Sequence, residues 1–360
     1  FGSSHFSSVR AACEMLVAQG PSRMRCCRKL PSPLPGHARV PTVRFTADTS
    51  KAFLNYQGQP SAGMRIGRYI VPPTHFQYDV VDMAVPTEVI MHNGRKLAPA
   101  AALDTTGFAL RECPTSCGNF DDTLEVVRTY YAEMRALVQQ VSGAGKVLIF
   151  DHVVRRTPGT EGCPWDGPTA MERVHCDYTE DSAQWRLRQV LEAGVYSLDR
   201  RRALTASELE ALLRGQHAFV NVWRSIAPTP VQRWPLALCD ASSVPVSDRY
   251  YYQVIYPIVQ GREEENYALR FNGAHKWYHY PLMRREECLV FKVYDTRDDG
   301  RHIVFHTAFD PLAPQEAPAR QSIEVRAVAF FDVEGAEGEM LQSRGRWRRN
   351  KLVGQLSPHE

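Results

Sequence analysis

From residue 146 onward the hydrophobic positions come in short runs, closed off by Gly, Pro, Asn and Asp clusters. Runs at 146–155, 219–224, 236–239, 251–256, 275–280, 288–294, 303–307 and 322–331 are β-like, rich in Val, Ile, Phe and Tyr. A period near 3.6 dominates only between 119 and 141, where Leu124, Val127, Tyr131, Met134, Leu137, Val138 and Val141 share one helical face. Asp121 or Asp122 is placed to cap that helix, and Gly143 and Gly145 follow its end. A second helix is expected over 182–193. A third follows Thr205, where Thr205-Ala206-Ser207-Glu208 reads as a capping box ahead of Leu209, Leu212 and Leu213. Residues 42–118 alternate short strand-like runs (43–45, 68–71, 88–91) with turns, and Asn93-Gly94 is a hairpin signal. Many short strands with a few helices predict a mainly β protein with flanking helices and a jelly-roll core.

Length changes this picture little: 360 residues suffice for one large domain. We expect a single jelly-roll domain at 41–335 with a β/helical extension at 41–145. Residues 1–40, rich in Ser, Arg and Pro, read as a disordered or leader segment, and 336–360 as a basic flexible tail. A net charge of +3 without a basic stripe argues against nucleic acid as a partner. No run approaches the roughly 18 apolar residues of a membrane span. The nine cysteines lack paired or zinc-type spacing, so free thiols in a reduced, cytoplasmic setting are expected. Oligomeric state is left open.

The chemistry begins at Val174-His175-Cys176-Asp177. On a strand, positions i and i+2 share a face about 7 Å apart. His175 and Asp177 then suit two cis ligands of one metal, while Cys176 points away. One distant histidine would complete the two-His, one-carboxylate set of an oxygen-activating ferrous site. His217, His275, His279, His302 and His306 lie downstream. His306 is preferred over His302, because in a jelly roll the last ligand comes from a late strand lying beside the early one. About fourteen residues later, Arg320 and Ser322 share a strand face. A guanidinium fork with a hydroxyl suits an aliphatic carboxylate, such as the distal one of 2-oxoglutarate. Arg326 continues that face as an alternative clamp or a salt-bridge partner of Glu324. Trp223, Trp277 and Tyr278 are candidate walls for an apolar substrate. Trp223 and Arg224 point to opposite faces, so at most one lines a pocket.

The ordered segments FDHVVRR (150–156), VHCDY (174–178), VNVWR (220–224), PLALCD (235–240), HKWY (275–278), LVFKVYD (289–295), HTAF (306–309) and RQSIEVR (320–326) carry a family likeness. Across roughly 40–331 the chain resembles the fungal AsaB-like hydroxylase/desaturase family, which includes gibberellin desaturase-like and CmcJ/NvfI-type proteins. The resemblance implies a double-stranded β-helix and Fe(II)/2-oxoglutarate chemistry with dioxygen on a small secondary metabolite. It also implies His175, Asp177 and His306 as iron ligands. Two rivals remain: an iron oxygenase that does not use 2-oxoglutarate, and a non-catalytic jelly-roll binding protein.

Overall fold

The computed structural model describes residues 48–69, 80–157, 169–192, 205–256, 262–298, 303–314 and 316–331. The strand expected at 43–45, His302, and the leader and tail lie outside these residues.

In chain order the strands are β1 (Thr49–Gln57), β2 (Arg65–Tyr69), β3 (Val80–Val81), β4 (Ala84–Asn93), β5 (Phe108–Glu112), β6 (Lys146–Arg156), β7 (His175–Cys176) and β8 (His217–Ser225). They continue with β9 (Leu236–Cys239), β10 (Arg249–Tyr256), β11 (Arg262–Leu269), β12 (Trp277–His279), β13 (Glu287–Asp295), β14 (His306–Ala308) and β15 (Gln321–Phe330). Ten form one sheet in the order β1-β4-β12-β9-β14-β7-β11-β10-β2-β3, and five form a second in the order β5-β13-β8-β15-β6. Helix α1 (Thr123–Glu125) passes through a π-helical segment, Val126–Tyr130, into α2 (Tyr131–Ser142); α3 (Glu180–Glu192) and α4 (Ala206–Arg214) follow.

Strand alternation builds two cores. Residues of both sheets, including Leu54, Leu238, Trp277, Phe219, Trp223, Phe291 and Val328, form the inner one. The opposite face of the five-stranded sheet, with Val147, Ile149, Val220, Val222, Ile323 and Val325, packs on Val126, Tyr130, Met134, Leu137 and Val138 of the helical segment. From Tyr131 onward this is the stripe expected from the sequence, through Met134, Leu137 and Val138; before it the π-helical segment turns Val126 and Tyr130 inward and leaves Leu124 exposed. Asp122 caps the whole helical stretch through the amides of Leu124 and Glu125, and Gly143 ends it at φ +71°. Both halves of the Thr205–Glu208 capping box form.

The sheets are also tied by charge. Arg95, just past β4, makes a bidentate pair with Glu287 at the start of β13 (2.7 and 2.8 Å). At the other end of β13, the fully buried Lys292 bonds Asp295 at 2.9 Å, and Arg297 bonds the same carboxylate.

Four elements differ from expectation. Asn93-Gly94 is no hairpin turn; the Asn93 side chain caps a 3₁₀ turn over Gly94–Lys96. β11 was not foreseen, because its sequence REEENYAL lacks an apolar alternation. β7 stops at Cys176, and Asp177 lies in the bend that follows. The strand expected at 303–307 is regular only from His306. Val304 bonds Lys292 of one sheet and Phe305 accepts from Cys239 of the other, so this segment crosses between sheets.

Burial alone would raise the Asp295 carboxyl, but Arg297 and Lys292 more than offset it and hold it below the ordinary range. A depressed folded-state value contributes stability above the unfolded value near 3.9, and that contribution is lost as pH falls through the folded value. Asp295→Asn removes the carboxylate that Lys292 and Arg297 share, and is therefore expected to cost about 1.5–3 kcal/mol at pH 7. The gap to wild type should close below about pH 4. Chemical denaturation at the two pH values checks both parts.

Candidate metal centre and active site

β7 and β14 pair antiparallel with His306 directly opposite His175. Cross-strand partners sit roughly 5 Å apart at Cβ, which brings the rings together; their centroids are 4.3 Å apart. The bend after Cys176 turns Asp177 toward them. Its Oδ1 lies 3.4 Å from His175 Nε2 and 3.7 Å from His306 Nε2. The three ligand atoms all fall within 4.8 Å of one another. Cys176 points away, as alternation requires, and its thiol donates to the Val293 carbonyl.

Each imidazole is oriented by its other nitrogen. His175 Nδ1 is 2.7 Å from the Arg173 carbonyl, and His306 Nδ1 is 3.2 Å from the Val304 carbonyl. A carbonyl only accepts, so both Nδ1 atoms carry a proton, and Nε2 is the atom each ring directs toward Asp177. Burial, then the adjacent His175, pushes His306 down to about 3, so it is neutral at physiological pH. Burial would raise Asp177, but His175, Arg326 and His306 hold its carboxyl well below the ordinary range. Two imidazole Nε2 atoms and a carboxylate oxygen thus face one point. That donor set fits a divalent first-row ion with open positions.

The opposite wall is the inner face of the five-stranded sheet. Arg320, Ser322, Glu324 and Arg326 occupy alternate positions along it. β6 supplies Asp151 opposite Arg326 and Arg155 opposite Ser322. β8 supplies Asn221 opposite Arg326 and Trp223 opposite Glu324. The register of β6 slips between its pairings with Arg326 and Ala327, leaving Phe150 unpaired. This bulge changes which residues face inward. Val147 and Ile149 face the helix, whereas Asp151 and Arg155 face the site.

The pocket between the walls has about 350 Å³ of empty space, part of it open to solvent. Its lining includes the three-residue cluster, Arg155, Arg320, Glu324 and Arg326, with Met171, Leu236, Trp223 and Ala308 as apolar surface. Arg320 is buried; its Nε donates to Ser322 Oγ at 3.0 Å, its Nη1 donates to the Trp234 carbonyl at 2.9 Å, and its guanidinium lies over the Trp223 ring. Among the described residues no carboxylate bonds it. Arg326 is surrounded by acid, with Asp151 at 3.0 Å, Glu324 at 3.4 Å and Asp177 at 3.7 Å.

Of the residues singled out in the sequence, His175, Asp177, His306, Arg320, Ser322, Arg326 and Trp223 share this inter-sheet space. Trp277 and Tyr278 do not line it. Trp277 is fully buried in the core with its indole N–H on Tyr56 Oη at 2.7 Å, and Tyr278 packs on His92 and Phe108. Both belong to β12, which β9 separates from the histidine strands.

Sequence reasoning missed Asn221, Asp151 and Arg155. Asn221 Nδ2 donates to Asp177 Oδ2 at 2.7 Å and holds the carboxylate in place. An amide inside the buried apolar run VNVW was a signal for it.

A family profile described as an oxidoreductase/YMDC permease-like domain matches residues 54–330. The hydroxylase/desaturase efuI of Hormonema carpetanum is 30% identical over 322 residues, covering 82% of this chain and all of that protein. The chain belongs to this fungal hydroxylase/desaturase family. The Fe(II)/2-oxoglutarate-dependent dioxygenase nvfI of Aspergillus novofumigatus is 29% identical over 76% of this chain and 94% of its own length. The solved structure of the iron and alpha-ketoglutarate-dependent endoperoxidase NvfI covers 79% of this chain at a TM-score of 0.66, with 25% identity. The jelly-roll architecture expected from the strand pattern is the fold of the family. Among the described residues no helix is long and apolar enough to cross a membrane.

Asn221→Ala removes the hydrogen-bond donor to Asp177 Oδ2. Affinity for a divalent ion is expected to fall roughly 10- to 100-fold, measured by Mn(II) titration. Unchanged affinity would mean that Asn221 does not orient the carboxylate.

Proposed function

We propose that the chain is a non-haem Fe(II)/2-oxoglutarate-dependent oxygenase that hydroxylates or desaturates a small secondary metabolite. The observation that carries this reading is the convergence of two imidazole Nε2 atoms and a carboxylate oxygen across a pocket from a buried arginine that bonds no carboxylate among the described residues. His175, Asp177 and His306 would hold the iron. Arg320, oriented by Trp234 and Trp223, would receive the distal carboxylate of 2-oxoglutarate together with Ser322. Arg326 is the weaker clamp, because three carboxylates already surround it. Its role is to hold Asp177 ionised.

Bound at this site, iron with 2-oxoglutarate supplies the activation of dioxygen that oxidises a substrate C–H bond, with succinate and carbon dioxide as co-products. The protein's share is positional. The two Nδ1–carbonyl bonds fix the imidazole planes, and Asn221 with Arg326 fixes the carboxylate. Met171, Leu236, Trp223 and Ala308 offer an apolar surface to the substrate and exclude water from the reacting carbon. These walls support an apolar substrate. The five described cysteines, all free, support a reduced cytoplasmic setting.

Asp177→Ala removes the sole anionic ligand and is expected to abolish both iron uptake and turnover. Under anaerobic conditions, wild type with Fe(II) and 2-oxoglutarate should develop the weak visible band of a chelated keto acid. No iron uptake would sink the oxygenase reading. Iron uptake without the band would point to an oxygenase with another co-substrate. Arg320→Ala should weaken 2-oxoglutarate roughly 10- to 100-fold while leaving iron affinity unchanged.

A further inference from the structure

Charge is unevenly distributed in the pocket. Arg155, Arg320 and Arg326 line it with Asp177 and Glu324, and Asp151 pairs with Arg326 from β6, three charges of each sign in all. They do not balance in space. All three carboxylates cluster round Arg326, next to the histidines. Arg155 and Arg320 occupy the other end, and among the described residues neither has a carboxylate hydrogen-bonded to it.

Arg155 lies directly across the β6–β15 ladder from Ser322. Its side chain therefore stands beside Ser322 on the face that also carries Arg320. It lines the pocket, and its Nη1 donates to the Thr169 carbonyl at 3.0 Å. Burial lowers the Arg155 guanidinium below its ordinary value. Burial, then the charge of Arg155, pushes Arg320 down to about 9. Two guanidiniums that repel each other, bonded only to neutral oxygens among the described residues and with Glu324 acting on both through charge alone, favour an anion between them.

We propose that Arg155 is the second arm of the carboxylate clamp, binding the distal carboxylate of 2-oxoglutarate together with Arg320 and Ser322. This rests on the oxygenase reading above. The acid end of the pocket then takes the divalent cation and the basic end takes the far charge of the dianion. A keto acid with a second, distal carboxylate can engage both ends, whereas one with a single carboxylate satisfies only the metal end. Once both are bound, the two charges of the cation and the two of the co-substrate cancel.

The test compares two keto acids on three proteins under anaerobic conditions with Mn(II) bound. 2-Oxoglutarate and 2-oxobutyrate share the chelating head, and only the first has the distal carboxylate. Binding is read by calorimetry. Arg155→Gln is expected to weaken 2-oxoglutarate roughly 10- to 100-fold and leave 2-oxobutyrate within about twofold. Arg155→Lys, which keeps the charge but loses the fork, should recover part of the loss. Equal affinity of wild type and Arg155→Gln for 2-oxoglutarate would overturn the proposal, as would an equal loss for both keto acids, which a merely structural role through Thr169 predicts. If Arg155→Gln does not fold, the selective loss must appear in Arg155→Lys, and its absence there overturns the proposal. Failure of wild type to bind 2-oxoglutarate at all would count against the oxygenase reading itself, a separate result.

Discussion

Two imidazole Nε2 atoms and a carboxylate oxygen converge on one point, an arrangement completed by a cation between them. The fold holds them there. His175 and His306 are locked by strand pairing and by their Nδ1–carbonyl bonds, and Asp177 by Asn221 and Arg326. None can turn away without leaving a buried polar group unsatisfied. The framework thereby stores a preference for a divalent ion before any ion arrives.

The same logic extends across the pocket. The sheet opposite the histidines carries acid near the metal site and, beyond it, guanidinium that bonds no carboxylate among the described residues. That gradient suits a ligand that chelates a cation at one end and carries negative charge at the other. The apolar remainder of the lining is left for a substrate without strong charge. The outer face of the same sheet is packed on the helical segment, so each inward side chain stands on a rigid strand. A site built on strands keeps the fixed geometry that oxidation of an unactivated C–H bond requires.

Much of this was legible in the sequence because period-2 alternation is a strong constraint. Arg320 and Ser322 share a face wherever the strand lies, and so do Glu324 and Arg326. His306 was found from its place before the proline turn. What escaped is what alternation cannot encode. The bulge at Phe150 shifts β6 by one residue, so the inward set of Asp151 and Arg155 does not follow from the outward set of Val147 and Ile149. The hydrogen bond from Asn221 to Asp177 spans two sheets. Asp177 itself reaches the site from a bend instead of a strand. Trp277 and Tyr278 looked like pocket walls because aromatics in strands serve cores and pockets alike. Only the strand order, with β12 beyond β9, separates the two uses.

If the pocket is matched to a cation and a dianion together, each must strengthen the binding of the other by the same factor. The decisive measurement is the affinity for 2-oxoglutarate by calorimetry, with and without saturating Mn(II) and in the absence of oxygen. The account requires tight binding with the metal and a loss of at least roughly 100-fold without it. Equal affinity in the two conditions would contradict it.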